Sequence, residues 1–324
     1  MTIRIGLLGA GAMGAEHAWC YGQMDGVELA GVYSRDPEKA AAIAQPSGAR
    51  VCAAARDLID DPAVDAIDVC LTTAVHADHV VAALQAGKHV FCETPLATEM
   101  AEAARMRDAA RGSGKLLQVG LLMRSVAACQ WVRAAVEDGR YGRLVSLTAH
   151  RLGSYLRADS PDHKPHYSDP TTELMTFDLD FVGWVMGAPA EVVARAAAWG
   201  DGIGEATAML RYDDGRLASV LASGILPSGA AFATGFRAVF EQALAEAETL
   251  IDAGGIASRC RLYAEGGATE PKLPQHNPYQ LELERFRDCI LGAADPGLLD
   301  VERAIEALSL SLAVQASLER SPSA

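Results

Sequence analysis

Ile3-Arg4-Ile5-Gly6-Leu7-Leu8-Gly9-Ala10-Gly11-Ala12-Met13-Gly14 decides the fold. An apolar run this continuous suits a parallel strand buried on both faces. It leads directly into G-x-G-x-x-G, and a helical pattern starts at about residue 12. Strand, glycine turn and helix in that order form the context that makes the motif informative. Gly9 permits the tight turn, Gly11 lets backbone approach a pyrophosphate, and Gly14 lets the helix pack close to the strand. The helix start, with Ala12 and Met13, offers free N–H groups and the positive end of its dipole to a phosphate. The plain alternative is a tight turn that binds nothing.

Outward from this stretch, the first 120 residues alternate strand-like and helical patterns. Further strands are expected at Val27–Tyr33, Ala66–Leu71, His89–Cys92 and Leu116–Gly120, with helices at about 12–24, 36–45, 75–86 and 98–111. Such alternation specifies a doubly wound α/β domain, a Rossmann dinucleotide-binding domain assigned to residues 1–121. From 122 to 324 the texture changes. A helix at about 125–138 and a strand at Leu144–His150 precede a polar stretch with Pro161, Pro165 and Pro170, then a helix at about 172–187 carrying Trp184. Alternating strands follow at about 190–199, 204–212, 216–224, 234–241 and 246–252, with Asp213-Asp214-Gly215 as a hairpin turn. Strands without intervening helices indicate a second α/β domain with an open, mainly antiparallel sheet. Helices at about 279–292 and 300–318 end the pattern and are expected to pack back on the first domain.

The chain has 324 residues, with 28 Lys+Arg against 42 Asp+Glu and a net charge of −14. That balance argues against nucleic acid and anionic membranes as partners, because phosphate-rich surfaces reward basic proteins. Half the residues are hydrophobic and 22% are charged, enough to bury a core. No run of 18 apolar residues suggests a membrane span, and the opening residues do not read as a signal peptide. Seven cysteines without a C-x-x-C pair suit reduced thiols in the cytoplasm, with no disulfide framework and no zinc site. Cys70 and Cys92 are expected in the core.

The end of the second strand selects between dinucleotides. An acid there would accept from a ribose 2′-OH. This chain reads Val32-Tyr33-Ser34-Arg35-Asp36, with Ser34 in the acid's place and Arg35 able to pair with a 2′-phosphate. NADP(H) is therefore favoured over NAD(H), with Asp36 as the competing reader of a 2′-OH.

Further segments resemble the Gfo/Idh/MocA oxidoreductases, named for glucose–fructose oxidoreductase and inositol dehydrogenase. They are the glycine motif, Thr72-Thr73-Ala74-Val75-His76, Ala86-Gly87-Lys88-His89-Val90-Phe91-Cys92-Glu93-Thr94-Pro95-Leu96-Ala97, Asp178-Leu179-Asp180-Phe181-Val182-Gly183-Trp184 and Asn277-Pro278-Tyr279-Gln280-Leu281-Glu282. The resemblance implies hydride transfer between a nicotinamide cofactor and a small molecule, often a sugar or cyclitol. It implies that Thr72, Thr73, His76, Glu93 and Thr94 lie along the cofactor. It also implies a homodimer or homotetramer formed through the open sheet.

The resemblance breaks where the chemistry should be. The family reads Glu-Lys-Pro where this chain has Glu93-Thr94-Pro95, and alignment on Asp178, Asp180 and Trp184 places Glu173 at an Asp position and Phe177 at a His position. Hydride transfer to or from a carbonyl needs a proton donor or acceptor within reach of the oxygen. The candidates are Tyr167, preferred because a neutral tyrosine can donate, then Glu173, Asp178, Thr94 and His166, with His163 and Lys164 nearby. Glu173 could instead complete a capping box. Arg124, Tyr155, Phe177 and Arg151 are candidates to touch substrate. Asp162, His163 and His166 sit in a loop with nothing to fix them, so no metal is expected. The reading is a reductase of C=O, C=N or conjugated C=C. The alternatives are a sugar or cyclitol dehydrogenase with a replaced lysine, or a dinucleotide-binding sensor or partner subunit without catalysis.

Overall fold

The computed structural model describes residues 2–161, 163–164 and 169–320. It divides into two compact units, Met1–Ser125 with His276–Leu308, and Val126–Gln275 with Ser309–Ala324.

The first unit is built on β1 (Ile3–Leu8), α1 (Ala12–Gln23), β2 (Val27–Tyr33), α2 (Pro37–Ala44), β3 (Arg50–Cys52), α3 (Arg56–Ile59), β4 (Ala66–Val69), α4 (His76–Gln85), β5 (His89–Cys92), α5 (Met100–Ser113) and β6 (Leu117–Val119). Its strands run parallel in the order β3-β2-β1-β4-β5-β6. Ile3, Ile5 and Leu7 are buried in its core, as expected of a strand covered on both faces. The strand order reverses between β1 and β4, and open α/β sheets bind ligands beyond the carboxyl ends of strands at such a point. Both the Gly9 loop and Cys70 lie there.

The second unit contains α6 (Ala127–Asp138), β7 (Leu144–Leu152), α7 (Pro170–Glu173), α8 (Met175–Met186), β8 (Glu191–Trp199), β9 (Gly202–Arg211), β10 (Leu217–Ser223), β11 (Phe232–Phe240), β12 (Ala243–Asp252), β13 (Gly255–Ala264) and β14 (Gly267–Thr269). Its sheet order is β14-β13-β12-β11-β7-β10-β9-β8, with β7–β10 as the one parallel pair among the described strands. α8 packs on β7 and β10, and its Phe181 ring meets Phe236 of β11 at 5.2 Å.

α9 (Pro278–Ile290) returns to the first unit, where Leu283 and Phe286 join the core. Asn277 explains its own motif. Its side chain caps α9 by accepting from the N–H of Tyr279 at 2.9 Å, and its Nδ2 donates to Glu16 of α1 at 2.8 Å. α10 (Val301–Glu319) runs through the boundary between the units at Leu308.

Three features depart from expectation. β3 is a three-residue edge strand, too short for a period to show. β13 and β14 extend the second sheet, but β13 is exposed over most of its length and its charged face hides the strand alternation. The helix expected over 172–187 breaks at Leu174 into α7 and α8.

Candidate active site

The glycine loop of the first unit is shaped by three different constraints. Gly9 sits at φ +116, and a Cβ there would lie 2.2 Å from the Cys70 carbonyl oxygen. A Cβ on Gly14 would lie 2.2 Å from the Gly9 carbonyl oxygen. A Cβ on Gly11 would meet nothing within 4 Å. The first two glycines are therefore demanded by packing, whereas Gly11 faces open space. Gly11 is also the N-cap of α1 and supplies no side-chain hydrogen bond, so the N–H groups of Ala12 and Met13 remain available at the positive end of the helix. This cradle fits a dinucleotide pyrophosphate.

At the end of β2, Asp36 is committed to capping α2. Its Oδ1 accepts from the N–H groups of Glu38 and Lys39 at 3.1 and 3.2 Å, and its Oδ2 lies 3.6 Å from Lys39 Nζ. Ser34 Oγ accepts from the Asp36 N–H at 3.1 Å. Arg35 is exposed and makes no ion pair among the described residues.

Beyond β4 and β5, the candidates His76 and Arg124 are both buried. His76 is buried, with Nε2 2.9 Å from the Leu71 carbonyl oxygen and Nδ1 3.1 Å from that of Pro95. The ring's single N–H donates to one of these carbonyls, and the Cys92 sulfur lies 3.4 Å from Nδ1, so His76 is held between the two loops. Burial holds its imidazole below the ordinary value. Arg124, a candidate to touch substrate, is buried and donates to the Leu298 carbonyl at 3.1 Å. Thr72 is exposed and Thr73 half-buried at the turn before α4. Glu93 is buried, and its Oε2 accepts from the Thr94 N–H at 3.0 Å.

A polar cluster that sequence reasoning missed lies behind this loop. His17 of α1 is fully buried, with Nδ1 2.8 Å from Asp68 Oδ2 and Nε2 2.8 Å from Glu93 Oε1. The Tyr21 hydroxyl donates to Asp68 at 2.9 Å, and the Cys70 sulfur lies 3.3 Å from His17 Nδ1. Cys70 is thus half-buried, packed against the core on one side and beside the His17 ring on the other. Burial opposes a charged His17 ring, but Cys70 and the Asp68 carboxylate outweigh it and hold the imidazole well above its ordinary value. The available signal was Asp68 itself, an acid inside the apolar strand Ala66-Ile67-Asp68-Val69.

The second unit holds a separate group of candidates. Arg151 of β7 and Asp178 of α8 form a buried ion pair, with Nε 3.1 Å from Oδ2 and side chains 8% and 0% exposed. The Arg151 guanidinium also sits 4.7 Å over the Phe177 ring. Burial pushes the Asp178 carboxyl up while Arg151 pulls it down. Asp178 is thus committed to Arg151, and neither is a surface charge. Tyr155 is buried, its ring against Gly153 and Gly224, where a Cβ would lie 3.1 and 2.7 Å from ring carbons. Trp184 is half-buried, its carbonyl accepting from Arg133 at 2.6 Å, and is not a core residue.

Glu173 differs from these. Asp169, not a capping box, caps α7 by accepting from the Thr171 N–H at 2.7 Å. Glu173 closes that short helix, and its Oε2 is buried without a hydrogen bond among the described residues. Burial and the nearby Asp169 push its carboxyl up to about 7, with Lys164 opposing. His166, Tyr167 and Asp162 lie outside the described residues.

Comparison with known proteins agrees with this architecture. The family described as "Oxidoreductase family, NAD-binding Rossmann fold" matches residues 3–121, and the "GFO/IDH/MocA C-terminal domain" matches residues 129–245. Inositol 2-dehydrogenase 3 of Saccharopolyspora erythraea is 38% identical over 188 residues, 57% of this chain and 54% of that protein. The 1,5-anhydro-D-fructose reductase of Ensifer adhaerens is 32% identical over 206 residues, 61% of each chain. The chain thus spans little more than half the length of these curated relatives. Among solved structures, UDP-N-acetylglucosamine 3-dehydrogenase GnnA from Acidithiobacillus ferrooxidans is 26% identical, with a TM-score of 0.83 and 98% of both chains covered. Levoglucosan dehydrogenase in complex with NADH and levoglucosan shares the fold at a TM-score of 0.82, with 21% identity and 99% and 98% coverage.

Proposed function

The chain belongs to the Gfo/Idh/MocA oxidoreductase family, and from that premise we propose that it catalyses hydride transfer between NADP(H) and a small, hydroxyl-bearing substrate or its keto form. One observation carries the reading: Gly11 faces open space beside an uncapped helix N-terminus at the switch point of the sheet. When bound, the nicotinamide supplies or accepts the hydride. Arg35, exposed and without an ion pair among the described residues, favours the 2′-phosphate over the 2′-OH, since Asp36 is occupied as a helix cap.

Glu173 is the proposed proton donor in reduction and acceptor in oxidation. Its elevated carboxyl balances the two protonation states near neutral pH, where acid–base catalysis is most effective. Thr94 contributes a hydroxyl but no charge. Phe177 makes its surroundings less polar, which supports reduction of a carbonyl, imine or conjugated alkene. A specific observation favours the second reading, dehydrogenation of a sugar or cyclitol: the curated relatives are an inositol 2-dehydrogenase and a 1,5-anhydro-D-fructose reductase. A second copy of the chain, as dimer or tetramer, is the proposed cover for the open sheet of the second unit, where Met209, Leu217, Leu250 and Ile256 are exposed. Free cysteines support a cytoplasmic location.

The test is a titration of the full chain with NADPH, NADH and both oxidised forms, read by protein fluorescence. Selective NADPH binding followed by turnover with a panel of keto-sugars, cyclitols, imines and enones is expected. Binding without turnover on any class would favour a non-catalytic sensor, and no binding would overturn the proposal.

A further inference from the structure

The cluster behind the Glu93 loop contains a group that its neighbours do not account for. Glu282 of α9 is fully buried, and neither of its carboxylate oxygens has a hydrogen-bond partner among the described residues. The ligand-type atoms of His17, Glu93 and Glu282 all lie within 4.8 Å of one another. His17 Nε2 and Glu93 Oε1 are 2.8 Å apart yet form an ion contact, not a directed hydrogen bond.

Counting charges exposes the difficulty. The charged groups acting on Glu282 are Glu93, His17 and Asp68. Around them, α1 contributes Tyr21 and Cys20, Cys70 follows β4, and Cys92 ends β5. Three carboxylates therefore surround one imidazole, and an ionised Glu282 would face Glu93 as a like charge with no donor for either oxygen. Removing such a group from water strongly disfavours its charged form. As a neutral acid, Glu282 gains an O–H that can donate to Glu93. Glu93 in turn accepts from the Thr94 N–H at 3.0 Å.

We propose that Glu282 is a positioning residue that keeps a proton in the folded chain and, through Glu93, holds the Glu93-Thr94-Pro95 turn in place for the dinucleotide. The inference rests on the dinucleotide reading above. Burial and the nearby Glu93 push the Glu282 carboxyl well above its ordinary value, with His17 opposing.

Two measurements on the full chain test it. The first is melting temperature across pH 5 to 9 without cofactor, for wild type and Glu282→Gln. A folded-state value raised above the unfolded one means that the folded chain binds the extra proton, so its stability falls as pH rises through that window. Glutamine is neutral throughout, so the variant's melting temperature should gain on wild type as pH rises. The second is NADPH affinity, expected to fall about tenfold in Glu282→Leu and much less in Glu282→Gln, which keeps size and a donor. Parallel pH profiles for the two chains would overturn the proposal. So would one equivalent of a divalent cation in the purified protein that leaves with a chelator and lowers the melting temperature, because the same three side chains would then be metal ligands. Should Glu282→Leu not fold, the pH comparison of Glu282→Gln decides. If wild type binds no dinucleotide, the functional reading fails, whereas the pH comparison still reports on the Glu282 proton.

Discussion

Replacing Gly11 and Gly14 in turn by alanine separates a nucleotide loop from a tight turn. A Cβ at Gly14 would sit 2.2 Å from the Gly9 carbonyl oxygen, about 1 Å inside van der Waals contact. Strand β1 and helix α1 would have to move apart, and overpacking of this kind costs about 1–3 kcal/mol. In a unit of this size each kcal/mol lowers the melting temperature by roughly 2–4 °C, so Gly14→Ala should lose roughly 2–12 °C. A Cβ at Gly11 meets nothing within 4 Å, and its φ of −81 suits any residue. Gly11→Ala should therefore stay within about 2 °C of wild type, as expected of a substitution worth less than about 0.5 kcal/mol. Its methyl group would instead enter the space where a pyrophosphate approaches the helix N–H groups. Losing one charge-assisted hydrogen bond there, about 1.5–3 kcal/mol, weakens NADPH binding by about 10- to 150-fold. Calorimetric titration and thermal melting of both variants provide the assay. If Gly11→Ala melts well below wild type and binds the dinucleotide unchanged, the loop is only a packed turn and the cradle argument is wrong.

Three further outcomes are expected. Arg35→Ala should weaken NADPH binding by about tenfold or more and leave NADH unchanged in the same titration, because one guanidinium–phosphate contact is worth about 1.5–3 kcal/mol; equal losses for both would remove Arg35 as a 2′-phosphate reader. Asp178→Asn deprives the buried Arg151 of its carboxylate, which costs about 3–5 kcal/mol and at roughly 2–4 °C per kcal/mol lowers the melting temperature by roughly 6–20 °C; a variant that melts normally but has lost turnover would return Asp178 to the catalytic candidates. With Glu173 near 7, reduction needs its protonated form, so kcat/KM for reduction should fall above about pH 7, and Glu173→Gln should lose that limb together with about 10²- to 10⁴-fold in rate. The same limb persisting in the variant would assign the proton to another group.

Local order made the cofactor half legible. Strand, glycine turn and helix are contiguous between Ile3 and Gln23, so their steric logic can be read from twelve residues before any tertiary contact is known. The choice at Ser34-Arg35-Asp36 is equally local, and Asp36 caps α2, which supports the reading of Arg35 proposed above. His76 shows the limit of a motif. The resemblance implies a cofactor contact beside Thr72 and Thr73, and the fold buries the ring between carbonyls of two different loops. No spacing within one segment announces a partner in another.

The buried polar pairs of both units are built from such distant partners. Arg151 meets Asp178 across 27 residues, His17 meets Asp68 across 51, and Asn277 reaches Glu16 across 261. Such pairs decide which charges are available for chemistry. Asp178 is an attractive acid in the sequence, yet folding assigns it to Arg151 and buries it completely. Glu173 reads in the sequence as a proton-transfer candidate or as part of a capping box, yet Asp169 caps α7 and a Glu173 oxygen is buried without a hydrogen bond among the described residues. What separates a structural carboxylate from a reactive one here is therefore the donor it does or does not find in the fold. By that criterion we propose Glu173, and not Asp178, as the carboxylate that exchanges a proton.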